Sequence, residues 1–393
     1  MKILLLAPHP FYQERGTPIA VDLLLRFWSG RGDTVDVVTF HEGSDRAYRG
    51  VTIMRIPRPG WIKNVPPGFS LRKVVCDAFL FWKAMRLAAR GGYGLVHAVE
   101  ESVFCAMLIK RLYRLPYVYD MDSSLPMQLI EKSAALAPAG PALRFCERAA
   151  VRGALAVVAV CDALAAIARA AGARQVFVLR DVSLLPDTAA PAAAPGEAAR
   201  LPAVEHPCFM YIGNLETYQG IGLLLESFAI LCRDRPESFL AVIGGSAALI
   251  ARYRNMSAEL GIAGRVRFFG PRPLADMPRL FAEADALVSP RTKGSNTPMK
   301  IYSYLQSGKP VIATALPTHT QVLDETTALL AEPRPERFAA AMRHLLENPG
   351  EGKKLADKAA ALAAEQYSHR AYGAAAAEIF NRIESELQKE RDK

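Results

Sequence analysis

Residues 285–314 read Asp285-Ala-Leu-Val-Ser-Pro290-Arg291-Thr-Lys293-Gly-Ser-Asn296-Thr297-Pro298-Met-Lys300-Ile-Tyr302-Ser303-Tyr304-Leu-Gln-Ser-Gly308-Lys309-Pro310-Val-Ile-Ala-Thr314. An apolar run closes at Pro290, a polar loop follows, and a helix is predicted to begin near Pro298. Gly308-Lys309-Pro310 then stops that helix and opens a second apolar run. Strand, loop, helix and strand in this order make the repeating unit of a parallel sheet. The predicted helix start offers free backbone amides and the positive end of the helix dipole, which together can hold an anion.

The same alternation recurs back toward the first residue. Short apolar runs at 208–212, 239–243, 266–269 and 286–289 are separated by segments of helical length. An earlier series lies at 2–7, 34–39, 51–56, 94–98, 117–119, 157–160 and 175–179. The pattern predicts an α/β chain of two doubly wound domains, which bind ligands at the carboxyl ends of their strands. The expected division is 1–186 for the first domain, 187–206 for an Ala/Pro-rich linker, 207–366 for the second domain, and 367–393 for a helical tail.

Composition narrows the class. With 51% apolar and 22% charged residues in 393, the chain is neither disordered nor fibrous. No run approaches the roughly 18–20 apolar residues of a membrane-spanning helix. The opening run stops too abruptly at Pro8 for a secretory signal. Six cysteines (76, 105, 146, 161, 208 and 232) show no ligand-like spacing, which predicts a reduced, cytoplasmic protein without structural zinc. The net charge of +9 has an address. Residues 1–181 hold 24 Lys/Arg against 15 Asp/Glu, and residues 182–393 hold 24 of each. Residues 46–90 alone carry 10 basic residues and one acid, Asp77. A clustered basic segment predicts an anionic partner for that region.

The quoted stretch resembles the nucleotide-sugar site of GT-B glycosyltransferases, particularly retaining family 4, where it reads P-x-K-x-x-E-Y-M-A-x-G-x-P-V. Tyr211-Ile212-Gly213-Asn214-Leu215, followed by Gln219-Gly220, is similar to that family's G-R-L-x3-K-G. Val242-Ile243-Gly244-Gly245 matches its strand-to-glycine turn, and Val266–Gly270 its next strand. Gly16-Thr17-Pro18 sits where the family has a Gly-rich loop that approaches the donor phosphates; an ordinary turn is the plain alternative. His97 matches a strand-end histidine, with Gly94 in place of the family's Asp. It reads as an acceptor-side residue or as a hydrogen-bonded structural one. Glu100 and Glu101 follow in the loop, as acceptor contacts or solvated charges.

The departures are specific. The family's diphosphate-binding Arg and Lys are Asn214 and Gln219, its ribose-binding Glu is Ser303, and its second N-domain His is Asp122. Arg291, Lys293 and Lys300 in the loop and helix start, and Arg180 at a strand end, are the cations available to stabilise a departing diphosphate. Lys300 and Arg291 are the expected replacements. Asp122 is expected to orient the acceptor hydroxyl, with Asp120 beside it. Asp120-x-Asp122 also resembles the metal-binding D-x-D of single-domain GT-A enzymes. That reading is set aside because GT-A has no second half like residues 208–315, and no metal or other cofactor is expected.

The resemblance therefore implies two Rossmann-like domains facing a central cleft. It also implies transfer of a sugar, with retention, from a nucleotide-sugar to an acceptor hydroxyl. Expected donor residues are Gly16, Gly213, Asn214, Gln219 and Gly244, then Asn296, Thr297, Pro298, Lys300 and Ser303. Two other functions stay open: a nucleotide-sugar epimerase of the same fold, and a degenerate nucleotide-sugar-binding subunit. In the basic segment, Trp61, Phe69, Phe79, Phe81 and Trp82 lie among Lys63, Arg72, Lys73, Lys83, Arg86 and Arg90. This composition suits an anionic membrane surface at 61–90, or a buried helix with a solvated basic edge. Many family members act on lipid-linked acceptors, which points to a lipid-linked or polysaccharide-precursor acceptor met at the inner face of the cytoplasmic membrane. No nucleic-acid motif accompanies the charge.

Overall fold

A computed structural model describes residues 1–58, 60–66, 70–132, 138–186 and 204–392. Phe69 and residues 187–203 of the expected linker lie outside the described residues. The chain divides into two compact units, one made of residues 1–180 with the chain from 373 onward, the other of residues 181–372.

The first unit is built on seven parallel strands: β1 (Lys2–Ala7), β2 (Thr34–Thr39), β3 (Val51–Arg55), β4 (Leu95–Val99), β5 (Tyr117–Met121), β6 (Ala156–Ala159) and β7 (Val176–Val178). Their order is β3-β2-β1-β4-β5-β6-β7. The second unit holds β8 (Cys208–Ile212), β9 (Phe239–Ile243), β10 (Val266–Gly270), β11 (Ala286–Ser289), β12 (Val311–Thr314) and β13 (Leu329–Ala331), in the order β10-β9-β8-β11-β12-β13. Central strands such as β1 and β8 are buried along nearly their whole length, so they read as unbroken apolar runs rather than alternating ones. In each sheet the order reverses beside the first strand, between β1 and β4 and between β8 and β11. The loops there diverge and leave room for a ligand at the strands' carboxyl ends.

Three elements differ from the sequence expectation. β5 runs two residues further, because Asp120 and Met121 still pair with Val158 and Ala159 of β6. Asp120 is therefore a strand residue and not part of a D-x-D loop. The first helix begins at Gly16, four residues before its apolar spacing does. β13 pairs with β12 although Leu-Leu-Ala has no β-branched residue to announce it.

The helix His369–Arg391 brings the end of the described chain back to the first unit. Phe380 is wholly buried, with its ring 5.1 Å from Trp28 and 5.9 Å from His97. Arg31 bridges Asp33 and, at 2.7 Å, Glu384. The helix Leu71–Arg90 is capped by Ser70, whose Oγ accepts the Lys73 amide. It packs inward through Cys76, Leu80, Ala84 and Leu87. Its outer side is also apolar: Leu71 is 75% exposed, Trp82 52%, and Val74 and Phe81 are exposed beside them. A helix apolar on both sides has a second surface to satisfy.

Candidate active site

In the second unit, β8 and β9 end in glycine turns that cross closely. A Cβ on Gly244 (φ 107°) would lie 2.0 Å from the Gly213 carbonyl oxygen, so the turn requires glycine. Beyond Gly213 the Asn214 carbonyl accepts the Tyr211 hydroxyl at 2.6 Å, and the Asn214 side chain accepts the Glu216 amide. The half-buried Lys300 projects its ammonium over the Tyr211 ring, 3.8 Å from the centroid, and donates to Gln219 Oε1 at 3.2 Å. No carboxylate is among these partners. Burial, and then the neighbouring Arg291, pushes the Lys300 amine well below its ordinary range.

Arg291 begins the loop after β11. Its Nε donates to the Lys293 carbonyl (2.7 Å), its Nη2 donates to Asn296 Oδ1 (3.0 Å), and the guanidinium lies 5.3 Å from the Tyr218 ring centroid. Thr297 is buried, and Pro298 precedes the short helix Lys300–Gln306. Ser303 is buried within that helix and its Oγ accepts the Leu184 amide at 2.9 Å. The structure thus brings Gly213, Asn214, Gln219 and Lys300 together, with Arg291 and Asn296 alongside. Ser303 serves a backbone amide, Lys293 is exposed, and Arg180 pairs with Asp162 in the first unit.

In the first unit, His97 is wholly buried in β4 and its Nε2 stands 3.0 Å from Asp120 Oδ2 in β5. Trp28 and Phe380 pack its ring. His97 can act on a ligand only through Asp120. Glu100, immediately after β4, holds a left-handed backbone (φ 52°) that costs a non-glycine residue energy. Its Oε2 accepts the Ser123 hydroxyl at 2.5 Å. Burial, then Glu101, pushes the Glu100 carboxyl up to about 7, and the same two causes push Asp77 up to about 7. Glu101 pairs with Lys73. Asp122 is half-buried just past β5, and Gly16 opens the helix Gly16–Arg31. Among the described residues no group of three His, Cys, Asp or Glu could hold a metal ion.

The family of glycosyl transferases group 1 matches residues 198–362, and the glycosyl transferase 4-like domain matches residues 15–180. Each half of the chain thus matches a glycosyltransferase domain family. The D-inositol 3-phosphate glycosyltransferase of Corynebacterium diphtheriae is 30% identical over 147 residues, 35% of this chain and 34% of that protein. The match thus spans about a third of that relative's length. Sucrose-phosphate synthase from Thermosynechococcus elongatus has a TM-score of 0.79 at 19% identity, covering 98% of this chain and 99% of its own. The Anabaena protein HepE in complex with UDP-glucose has a TM-score of 0.73 at 18% identity, covering 97% and 100%. The chain has the GT-B fold.

Sequence reasoning missed three neighbours of the candidate site residues. Tyr211 underlies Lys300, Lys73 neutralises Glu101, and His319 sits behind Arg291. For His319 the only local signal is the polar run Thr318-His-Thr-Gln321 after a buried strand.

Proposed function

We propose that this chain transfers a glycosyl group, with retention, from a nucleotide-sugar to an acceptor hydroxyl. The observation that carries the reading is the nearness of Lys300, at the start of the helix Lys300–Gln306, to Arg291 after β11; among the described residues the partners of Lys300 are a neutral amide oxygen and a ring. Such a group favours an anion. In the reaction, the bond from the anomeric carbon to the diphosphate oxygen breaks and a bond to the acceptor oxygen forms. The acceptor proton passes to the departing diphosphate oxygen, so the products are the glycosylated acceptor and the nucleoside diphosphate. Lys300 and Arg291 offset the charge developing on the leaving group, which is worth several kcal/mol where water is excluded. Gly213 and Gly244 allow the backbone to approach the donor. Asp122 orients the acceptor hydroxyl, supported by Glu100 and by Asp120 with His97 behind it. Residues 1–186 serve the acceptor and 207–366 the donor. The UDP-glucose held by HepE supports this class of donor.

The test is a calorimetric panel of UDP-, GDP-, dTDP- and ADP-sugars. At least one is expected to bind, and its nucleoside diphosphate to be released only when an acceptor is added. Binding without release on any acceptor would leave a degenerate binding subunit, binding of none would remove the donor site, and conversion of the sugar without acceptor would leave an epimerase.

The same reading places the acceptor at an anionic membrane surface reached through residues 61–90, on the cytoplasmic side. The structure thins the charge there. Arg46 pairs with Asp22, Arg55 with Asp45 and Lys73 with Glu101, and Lys83 donates to the Arg55 carbonyl. Arg49, Arg58, Lys63, Arg72, Arg86 and Arg90 are exposed, as are Leu71, Val74, Phe81 and Trp82 along the helix and Trp61, 68% exposed; Arg86 lies over the Trp82 ring. Each cation near an anionic surface contributes about 1 kcal/mol, and the rings add apolar contact. No helix among the described residues is long and apolar enough to cross a membrane. Flotation with phosphatidylglycerol vesicles is expected for the wild type at low salt. It should be lost in Lys63→Glu/Arg72→Glu/Arg86→Glu and fade as salt shortens the Debye length from about 10 Å at 0.1 M to about 3 Å at 1 M. Equal flotation of both proteins, or none by the wild type, sinks the membrane surface.

A further inference from the structure

We infer that His319 and Thr314 are positioning residues for Arg291, acting through a directed chain of hydrogen bonds behind the donor's diphosphate. The inference rests on the assignment of Lys300 and Arg291 to that diphosphate.

The chain follows from donor counting. The Thr314 hydroxyl donates its single proton to the Arg291 carbonyl at 2.6 Å. His319 Nδ1 lies 2.9 Å from the Thr314 carbonyl and 3.0 Å from Thr314 Oγ1, so Nδ1 must carry a proton to bond either one. Burial is the largest cause holding the His319 pKa down to about 3, and Lys300 and Arg291 add to it, so the ring is neutral. With the proton on Nδ1, Nε2 is an acceptor, and it takes the Ser289 hydroxyl at 2.9 Å. Protons therefore point one way: Ser289 to His319, His319 to Thr314, Thr314 to Arg291. Ser289 ends β11 and Thr314 ends β12, both strands are buried, and all three side chains are buried. The chain transfers the rigidity of the sheet to the first residue of the loop.

The loop is held at two further points from the same segment. Thr318 donates to the Asn296 carbonyl at 2.7 Å, and Gln321 donates to the Ser295 carbonyl at 3.0 Å. With both ends of 291–296 tied, Arg291 can be gripped by the loop itself. Gly294 (φ 116°) is so close that a Cβ there would stand 2.2 Å from Arg291 Nη2. A guanidinium on an untethered loop would have to be ordered when the ligand arrives. Here that ordering is done before binding, which is how a scaffold converts hydrogen bonds remote from the ligand into affinity.

The experiment uses the full chain, with calorimetric titration of pyrophosphate, UDP, GDP, dTDP and ADP, and unfolding temperature recorded for every variant. Thr314→Val keeps the volume and removes the hydroxyl. It is expected to weaken the tightest-bound diphosphate at least five-fold, and Thr314→Ser to return it within two-fold of wild type. His319→Leu is expected to act in the same direction. In an Arg291→Ala background, Thr314→Val should add almost nothing, because the residue it positions is gone. Valine and serine variants that bind alike, or an undiminished effect of Thr314→Val without Arg291, overturn the inference and leave the network a purely structural one. Lys300→Ala is titrated alongside. If it binds as wild type does, or if wild type binds none of the five, the donor assignment falls and this inference with it. If Lys300→Ala weakens binding and Thr314→Val does not, only the positioning role falls.

Discussion

Lys300→Ala is expected to weaken nucleoside diphosphate binding by at least about 1.5 kcal/mol, more than ten-fold, with the unfolding temperature hardly changed. A charge-assisted hydrogen bond to phosphate has about that net worth. The fold does not depend on this ammonium, which has Gln219 Oε1 and the Tyr211 ring as partners and is pushed by burial toward its neutral form. The sign of the linkage gives a second reading. The folded-state pKa of Lys300 lies below its unfolded value, so between the two the unfolded chain holds the proton and the folded chain does not. Stability from this group therefore rises with pH through that window. A bound diphosphate reverses the preference and draws a proton back onto Lys300. Binding should take up protons between the free-state and bound-state pKa values, and affinity should fall as pH rises through that window and level off above it. Titrations in two buffers of different ionisation enthalpy measure that uptake, which Lys300→Ala should abolish. Unchanged affinity and unchanged uptake would remove Lys300 from the donor site.

Asp122→Asn is expected to lower transfer at least about 100-fold, the scale of a misplaced reacting group, while donor affinity stays within two-fold. Asparagine keeps the size and polarity of the side chain and removes the charge that holds a hydroxyl hydrogen. Asp122 follows the last residue of β5, whereas Asp120 lies within the strand opposite Val158 and its side chain meets His97. Activity is expected to be indifferent to EDTA. Strong inhibition reversed by Mn²⁺ would return Asp120 and Asp122 to a metal site, and full activity of Asp122→Asn would move acceptor recognition elsewhere, Glu100 first.

Much of this architecture is written locally. β1, β2, β8, β9 and β11 start and stop where their apolar runs do, because a strand buried on both faces tolerates nothing else. β13 was not legible, since Leu-Leu-Ala is strand-forming only with β12 beside it. Lys300 and Arg291 were legible as candidate donor-site cations through the motif around Pro298. Their surroundings were not. The bonds from His319 to Ser289 and from Thr314 to Arg291 span 30 and 23 residues, distances set by the order of strands in the sheet and by no periodicity in the chain. The charge surplus at 46–90 shows the opposite failure, because counting cannot reveal that Lys73 and Arg46 are already neutralised within the fold. His97 is a third case. Its type suggests chemistry, and the structure adds what the sequence could not: a wholly buried ring packed by Trp28 and Phe380 that meets Asp120 through Nε2.

The position of Phe380 has a consequence for the order of manufacture. Residues 1–180 emerge from the ribosome first and contain every strand of their own sheet, yet the aromatic ring that covers Trp28 and His97 is made some two hundred residues later. Throughout that interval the indole and the imidazole have no lid, and the nascent first half is a sheet with an open flank. Arg31 likewise waits for Glu384. Completion of the half that begins the chain is therefore postponed until the second half has been translated, and a lesion or fusion near residue 380 reports its damage at the other end of the polypeptide.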